Sequence, residues 1–422
     1  MNGVVTLILG GGQGKRLWPL TRERCKPAVP LGGKFRLIDV PISNSLHAGI
    51  DRIFVLTQFN SASLHRHISQ SYRFDVFRGG YVDILAAEER MDRRDWYQGT
   101  ADAVRQNLHH LETTNAHDVL ILSGDQLYLM NVKAFIEQHR ARSAELTVAV
   151  TAVPRAQAKG LGIMRVDRDG RIVEFVEKPQ DEGTLTRLTP DAETLQRLGL
   201  RAPPGSLLAS MGIYTFRRDV LDELLRGTTA HDFGKDIIPA SIGKRRVFAF
   251  AYGGYWRDIG TIPAFHEASL ELTHPIPPLN LYDPHHPIYT HSRHLPGTKI
   301  NRCQVEQSIL CEGSIINDAK ISDSIVGIRA QVQQGSVIER SVVMGQREYE
   351  PLGGPGPGRV PMGIGRNCVI RNAIVDLNAR IGDGVRLVNE AGVQDQEAEN
   401  WCIRGGIIVV PRGATIPAGT VI

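Results

Sequence analysis

The last third of the chain carries a repeat that few folds can satisfy. Apolar, β-branched residues recur at Ile315, Ile321, Val326, Val332, Ile338 and Val343, five or six residues apart. A second run falls at Ile370, Val375, Ile381 and Leu387, and a third at Val410, Ile416 and Ile422. Gly, Asn, Asp and Ser fill the spaces between them. A period near six marks a parallel β-helix, in which each coil sets one branched residue at a corner of a prism and stacking buries the column. Ordinary strands joined by turns are the alternative. Residues 345–361 are too rich in Gly and Pro to stack, and residues 389–400 are too polar. Both are expected as loops extruded from the coil.

Upstream, the pattern is different. Val4–Leu9, Arg52–Thr57, Val119–Leu122 and Leu146–Val150 read as strands, and Thr100–Leu111 and Val132–Arg142 as helices between them. Such alternation predicts a mostly parallel sheet covered on both faces. Ligands of these sheets bind at the carboxyl ends of the strands, which places Gly10–Arg16 and Gly124-Asp125 along one rim. Between the two patterns lie Pro275, Pro277, Pro278, Pro284, Pro287 and Pro296. Prolines at that density exclude long helices, so residues 274–297 are expected as an extended linker. The division that follows is 1–273, a linker at 274–297, and 298–422.

Bulk properties exclude several classes. A chain of 422 residues has room for two or three domains. The net charge is only +4, from 49 basic and 45 acidic residues, which argues against a dedicated nucleic-acid binder. No apolar run approaches the roughly 18–20 residues that cross a bilayer. The chain enters a strand-like run at Val4, so neither a signal peptide nor a transit segment is expected. Five cysteines without a C-x-x-C pair fit reduced, metal-free thiols in the cytoplasm.

The stretch "LILGGGQGKRL" (residues 7–17) has the look of a phosphate loop. It fails the Walker A pattern, because Arg16 follows Gly14-Lys15 and Leu9 stands where the first glycine belongs. It also fails the dinucleotide pattern, because Lys15 occupies the place of the third glycine after Gly10 and Gly12. Glycines still let the backbone approach phosphate and aim N–H groups at it, and Arg16 offers a planar fork. A strand-to-helix turn with surface bases remains open. Lys26 lies between Cys25 and Pro27, with Pro30 beyond, and the prolines predict a rigid, extended presentation. A solvent-exposed lysine is the alternative. Asp125 in "VLILSGD" and Asp258 in "YWRDIGT" follow apolar runs, where a carboxylate needs a partner or a metal; each alone is equally a turn or cap aspartate.

The motifs "LILGGGQGKRLWPLT", "CKPAVPLGGKFRLIDVPISN", "WYQGTADAV", "LSGDQLYLMN", "VEFVEKP", "ASMGIYTF", "HDFGKDIIP" and "YWRDIGT" occur in this order. Together they resemble the glucose-1-phosphate adenylyltransferase family of sugar nucleotidyltransferases, over nearly the whole chain. The second half ("SIVGIRA", "SVVMG", "GIGRN", "LNARIG", "IRGGIIVV") is more similar to the cyanobacterial and plant type. The resemblance implies an α/β catalytic domain with a Rossmann-like, mostly parallel sheet, then a left-handed parallel β-helix for assembly and regulation. It implies ATP and glucose 1-phosphate as substrates and ADP-glucose and diphosphate as products. A Mg²⁺ ion would be held by Asp125 and Asp258, which suits an ion that takes few protein ligands. Arg16 and Lys26 would act on the departing diphosphate. Gly10, Gly11, Gly12, Gly14, Gln98, Gly99 and Thr100 would bind nucleotide. Tyr97, Gly162, Glu177, Lys178 and Ser210 would bind glucose 1-phosphate, although Tyr97 is equally a packed core residue and Glu177-Lys178 equally a surface ion pair.

The same family is allosteric and tetrameric, so anionic effectors and a homotetramer are implied, with neither nucleic acid nor membrane as partner. Arg24, Arg36, Arg359, Arg404 and Arg412 are the candidate effector arginines; a scattered set of solvated arginines is the alternative. Glu23 departs from the lysine of the enteric pattern, and Arg359 and Arg412 stand where the plant type has lysines. Three competing readings remain. One is a transferase using UTP, dTTP or GTP, and another is a non-catalytic regulatory subunit. The third, an acyltransferase β-helix, needs a histidine on the coils, and residues 295–422 contain none.

Overall fold

The computed structural model describes the chain except for residues 76, 78, 88–95, 352, 353, 355 and 357. Its contacts divide into two units. One comprises Met1–Gly12, Val40–Ser61 and Ile68–Trp256; the other comprises Gln13–Asp39, Ala62–His67 and Arg257–Ile422. Two short N-terminal segments and residues 257–273 thus cluster with the C-terminal part.

The first unit is built on a nine-stranded sheet. Val4–Leu9 lies at its centre, parallel to Arg52–Thr57 on one side and to Asp118–Ser123 on the other. Tyr81–Ala86 extends the parallel part. The long strand Leu207–Arg217 pairs antiparallel with Asp118–Ser123, Leu146–Val153 and Gly162–Val166. Ile172–Glu177 pairs antiparallel with Gly162–Val166, and Val247–Ala251 parallel with Leu146–Val153. Val4–Ile8 and Ile53–Thr57 are buried without alternation, as a sheet covered on both faces requires.

The helix expected over Thr100–Leu111 is two helices, Thr100–Gln106 and Leu108–Glu112. Asn107 breaks it. Its amide donates to Ala103 O at 2.8 Å and to the Tyr97 hydroxyl at 2.9 Å, a local competition that asparagine brings to a helix interior. The helix expected over Val132–Arg142 is present as Val132–Ala141. Among the described residues no helix is long and apolar enough to cross a membrane.

In the second unit three parallel sheets carry the coils, and the apolar columns follow from the register. One column runs Ile300, Ile316, Val332, Ile364, Ile381, Ile416. A second runs Val305, Ile321, Ile338, Ile370, Leu387. The third runs Leu310, Val326, Val343, Val375, Val410. The structure corrects two sequence expectations. Ile316, not Ile315, enters the column, since neighbours on a strand face opposite ways and Ile315 pairs with Gln331. Residues 389–400 are not all loop: Asp395–Glu397 pairs antiparallel with Cys402–Arg404, which pairs antiparallel with Ile407–Val410. An outermost strand can be this polar because it has a neighbour on one edge only. No strand occurs among the described residues of 345–361, and residues 352, 353, 355 and 357 of that expected loop lie outside the description.

Residues 274–297 contain neither helix nor strand, yet Leu279 and Ile288 are buried, so the segment packs along its own unit and is not a free tether. On the first coil Ile300 and Val305 remain 49% and 41% exposed, while Ile316 and Ile321 behind them are buried. Ile338→Ala should therefore destabilise the second unit by about 2–5 kcal/mol, read from denaturant unfolding. Val305→Ala should change the same unfolding free energy by roughly 0.5 kcal/mol or less.

Candidate active site

A cavity of about 410 Å³ opens in the first unit at the carboxyl ends of the parallel strands. Leu9, Leu56 and Ser123 are strand residues that reach it, and Gly11, Gly12, Gln58 and Asp125 follow them. Gly10 N–H donates to Leu56 O at 2.8 Å and Gly124 N–H to Leu9 O at 3.0 Å. The ladder thus continues one residue past each strand, and the chain first leaves it at Gly11. The Gln58 amide donates to Gly11 O at 2.9 Å and holds that turn. A Cβ at Gly12 would meet nothing within 4 Å, so packing does not demand glycine there; its bare backbone faces open space.

The opposite wall is formed by Tyr97, Gly99, Thr100, Glu177, Gly212, Tyr214, Asp232 and Gly234. Glu177 ends its strand, and two glycines make room for its carboxylate. A Cβ at Gly162 would lie 2.8 Å from Glu177 Oε2 and 2.4 Å from the Phe175 ring, and one at Gly234 would lie 2.9 Å from Glu177 Oε2. Burial raises the Glu177 carboxyl above its ordinary value; the Lys178 charge pulls it back in part, and the nearby Asp232 charge adds to the rise. Burial likewise raises the Tyr214 phenol. A bulge between Ser210 and Tyr214 brings Gly212 to the cavity, with Gly212 N–H donating to Ser210 Oγ at 3.2 Å.

Of the residues expected from the sequence, Gly11, Gly12, Tyr97, Gly99, Thr100, Asp125 and Glu177 line this cavity. Gly10, Gln98, Gly162, Lys178 and Ser210 do not, although Gly162 shapes the space for Glu177. Gln98 N–H donates to Asp102 Oδ2, and its side chain turns to Trp96 O. Lys178 is more than half exposed, its Nζ 3.6 Å from Glu177 Oε1, which is an ion pair on the solvent side. Gln58, Gly212, Tyr214, Asp232 and Gly234 were not singled out beforehand. For Asp232 and Gly234 the signal was available in "HDFGKDIIP", and for Gly212 and Tyr214 in "ASMGIYTF"; Gln58 carries none.

The second unit gathers Gly14, Arg16, Lys26 and Asp258. Gly14 adopts a left-handed conformation (φ 64°), and a Cβ there would lie 2.8 Å from Thr21 Cγ2, so glycine is required on both counts. Lys15–Leu17 then forms a single 3₁₀ turn that presents Arg16. A Cβ at Gly260 would sit 3.1 Å from both Arg16 Nη2 and Asp258 Oδ2, which brackets that glycine with opposite charges. Lys26 Nζ lies 3.5 Å from Asp258 Oδ1 and is nearly buried. The expectation of an extended Lys26 is corrected, since Lys26–Ala28 is a 3₁₀ turn. Proline at its second position is no obstacle, because that N–H has no acceptor in a first turn.

The candidate effector arginines separate. Arg24 is buried, pairs with the buried Asp376 and donates from Nε to Leu20 O at 2.9 Å. Arg36 donates to Ser63 Oγ at 2.8 Å; burial first, then the Arg24 charge, lower it to about 10. Arg412 is balanced by Glu23 at 3.3 Å. Arg404 pairs with Glu397 and lies 5.2 Å over the Trp18 ring. Arg359 is exposed beside a segment that is partly outside the description. Arg347 shares their surroundings, depressed by burial and by the charges of Arg412, Arg66 and Arg24. Sequence gave no signal for Arg66 or Arg347.

No group of three or more His, Cys, Asp or Glu side chains comes together among the described residues. A closed protein cage for a transition metal is therefore not formed by them. Asp125 in the first unit and Asp258 in the second are each hard oxygen donors, of the kind that suits an ion completed by phosphate oxygens and water. Asp125 accepts from Ser123 Oγ, and Asp258 is faced by Lys26, so each carboxylate already has a stabilising neighbour.

Sheet, cavity and coil together define a nucleotide-processing α/β domain followed by a parallel β-helix. The chain belongs to the nucleotidyl transferase family, whose family model matches residues 5–274. The GLGC left-handed parallel β-helix domain matches residues 293–421, which gives the coil its hand.

The raised Glu177 carboxyl yields a prediction with a definite sign. Its unfolded form ionises first, so the fold is favoured while both forms are protonated and loses stability as pH rises through the folded value. Glu177→Gln should match the wild-type melting temperature near pH 4 and exceed it at pH 7, while losing activity. Equal melting at both values would remove the assigned environment.

Proposed function

We propose that the chain is a glucose-1-phosphate adenylyltransferase, which joins ATP and glucose 1-phosphate into ADP-glucose with release of diphosphate. The observation that carries this reading is one cavity lined by Gly11, Gly12, Asp125 and Glu177, residues of three separate motifs. The long motifs "KPAVPLGGKFRLIDVPISN", "GTADAV" and "HDFGKDIIP" support ATP and glucose 1-phosphate over other pairs.

The chemistry fits the groups present. The attacking sugar phosphate is already ionised at neutral pH, so no general base is required. A bond forms from its oxygen to the α-phosphorus of ATP, and the bond from that phosphorus to the α,β-bridging oxygen breaks. The electron pair leaves with diphosphate. Positioning and charge neutralisation supply the rate. Bare backbone at Gly11 and Gly12 receives phosphate, Glu177 accepts sugar hydroxyls, and Arg16 and Lys26 neutralise diphosphate. Asp125 and Asp258 would hold Mg²⁺, which when bound would offset the charge of the triphosphate. Lys178 turns from Glu177 to the sugar phosphate in this reading.

Regulation by anionic metabolites is part of the proposal, with Arg24, Arg36, Arg66, Arg347 and Arg412 as the receiving charges. The exposed first coil, with Ile300 and Val305, supports assembly into a homotetramer. A cytoplasmic location agrees with the free cysteines.

Incubation with glucose 1-phosphate and each of ATP, UTP, dTTP and GTP should give product chiefly with ATP; preference for another nucleotide would replace the assignment. Arg16→Ala should lower turnover on the order of 10²–10³-fold. A change confined to affinity would refute its role on the leaving group. Arg347→Ala should leave unstimulated turnover within about twofold and weaken the response to a panel of phosphorylated metabolites.

A further inference from the structure

The wall carrying Asp232 and Gly234 is held from behind by one buried ion pair. Asp102 is almost fully buried on the Thr100–Gln106 helix. Its Oδ2 accepts from Gln98 N–H at 3.0 Å and from the Gln106 amide at 2.8 Å, and its Oδ1 accepts from Arg105 Nη1 at 2.8 Å. Arg105 spends its other donors on main-chain carbonyls: Nε on Leu225 O at 2.9 Å and Nη2 on Ala230 O. One carboxylate and one guanidinium thus tie the segment before Gly99 to the segment before Asp232.

Further contacts continue the seam towards the cavity. His231 O accepts from Ala101 N–H at 2.9 Å and from Asp102 N–H at 3.2 Å. Thr100 Oγ1 donates to Asp232 Oδ2 at 3.2 Å and accepts from Phe233 N–H at 3.1 Å. A Cβ at Gly99 would lie 2.3 Å from His231 O, so the two backbones touch. Beyond the seam, Gly234 abuts the Glu177 carboxylate.

We propose that Asp102 and Arg105 are positioning residues that set sugar selectivity by fixing Asp232 and Gly234 against Glu177. This rests on the cavity being the sugar-phosphate site. Neither residue lines the cavity, so their effect runs through the seam. A planar fork with three committed donors is what keeps the 230–234 segment at one distance from the helix; a lysine keeps the charge but cannot make all three bonds. Discrimination between sugar epimers depends on that distance, because a hydroxyl aimed at a displaced acceptor leaves both groups unpaired.

The test compares kcat/KM for glucose 1-phosphate and its C4 epimer, galactose 1-phosphate, in wild type and Arg105→Lys, with circular dichroism melting to establish folding. The expected result is a folded variant whose glucose preference falls on the order of tenfold, through a raised KM more than a lowered kcat. Should Arg105→Lys not fold, the isosteric Asp102→Asn serves in its place. A folded variant with wild-type epimer preference overturns the proposal. Calorimetric titration of wild type with glucose 1-phosphate separates the two layers: if the sugar phosphate binds and the variant keeps its preference, only the positioning role fails. If wild type does not bind it, the reading of the cavity fails and takes the positioning role with it.

Discussion

Parallel pairing of Val4–Leu9 with both Arg52–Thr57 and Asp118–Ser123 fixes the height at which three strands end. Because the three strands run the same way and are in register, Leu9, Thr57 and Ser123 finish within a residue of one another. Whatever follows them must then share one rim. Gly11, Gln58 and Asp125 come from segments more than forty residues apart, and no local preference brings them together. The long antiparallel strand Leu207–Arg217 closes the other side and delivers Gly212 and Tyr214 through its bulge. The cavity is therefore a consequence of strand direction, and its chemistry is written in the turns that the direction aligns.

A second constraint acts on charge. A carboxylate removed from water must find either room and a partner or a proton. Glu177 has its room from Gly162 and Gly234, and its carboxyl is raised because burial outweighs the pull of Lys178. A carboxyl perturbed by burial inside a cavity marks a candidate functional group. Asp258 is treated differently, with Lys26 at 3.5 Å and Arg16 across Gly260. The arginine cluster is less evenly balanced: Asp376 meets Arg24 and Glu23 meets Arg412, while burial and like charges both depress Arg36 and Arg347.

In the β-helix the constraint is one of stacking. Each column needs a branched residue every coil, and an insertion is tolerated only if the next coil resumes in register. Val332 pairs directly with Ile364, and Ile381 with Ile416, so two long excursions leave the columns unbroken. One of those excursions returns as a hairpin whose outer strand is polar and whose Arg404 lies over Trp18. That hairpin is where the sequence pattern was least informative, because its order comes from a partner strand and not from its own apolar content.

The sequence by itself determined the two architectures. β-Branched runs alternating with amphipathic helices leave few options besides a covered sheet, and a period near six leaves few besides stacked coils. It also determined which side chains could do chemistry, since Gly11, Gly12, Asp125 and Glu177 stand in motifs whose residue types are unusual for structure alone. Only the tertiary structure decided which of them meet. Ile316 displaced Ile315 because side-chain direction alternates along a strand, which a spacing near six cannot resolve. Asn107 broke a helix because its amide found Tyr97 ten residues away. Arg347 came under the charges of Arg24, Arg66 and Arg412 because nearness across hundreds of residues is a property of the folded chain.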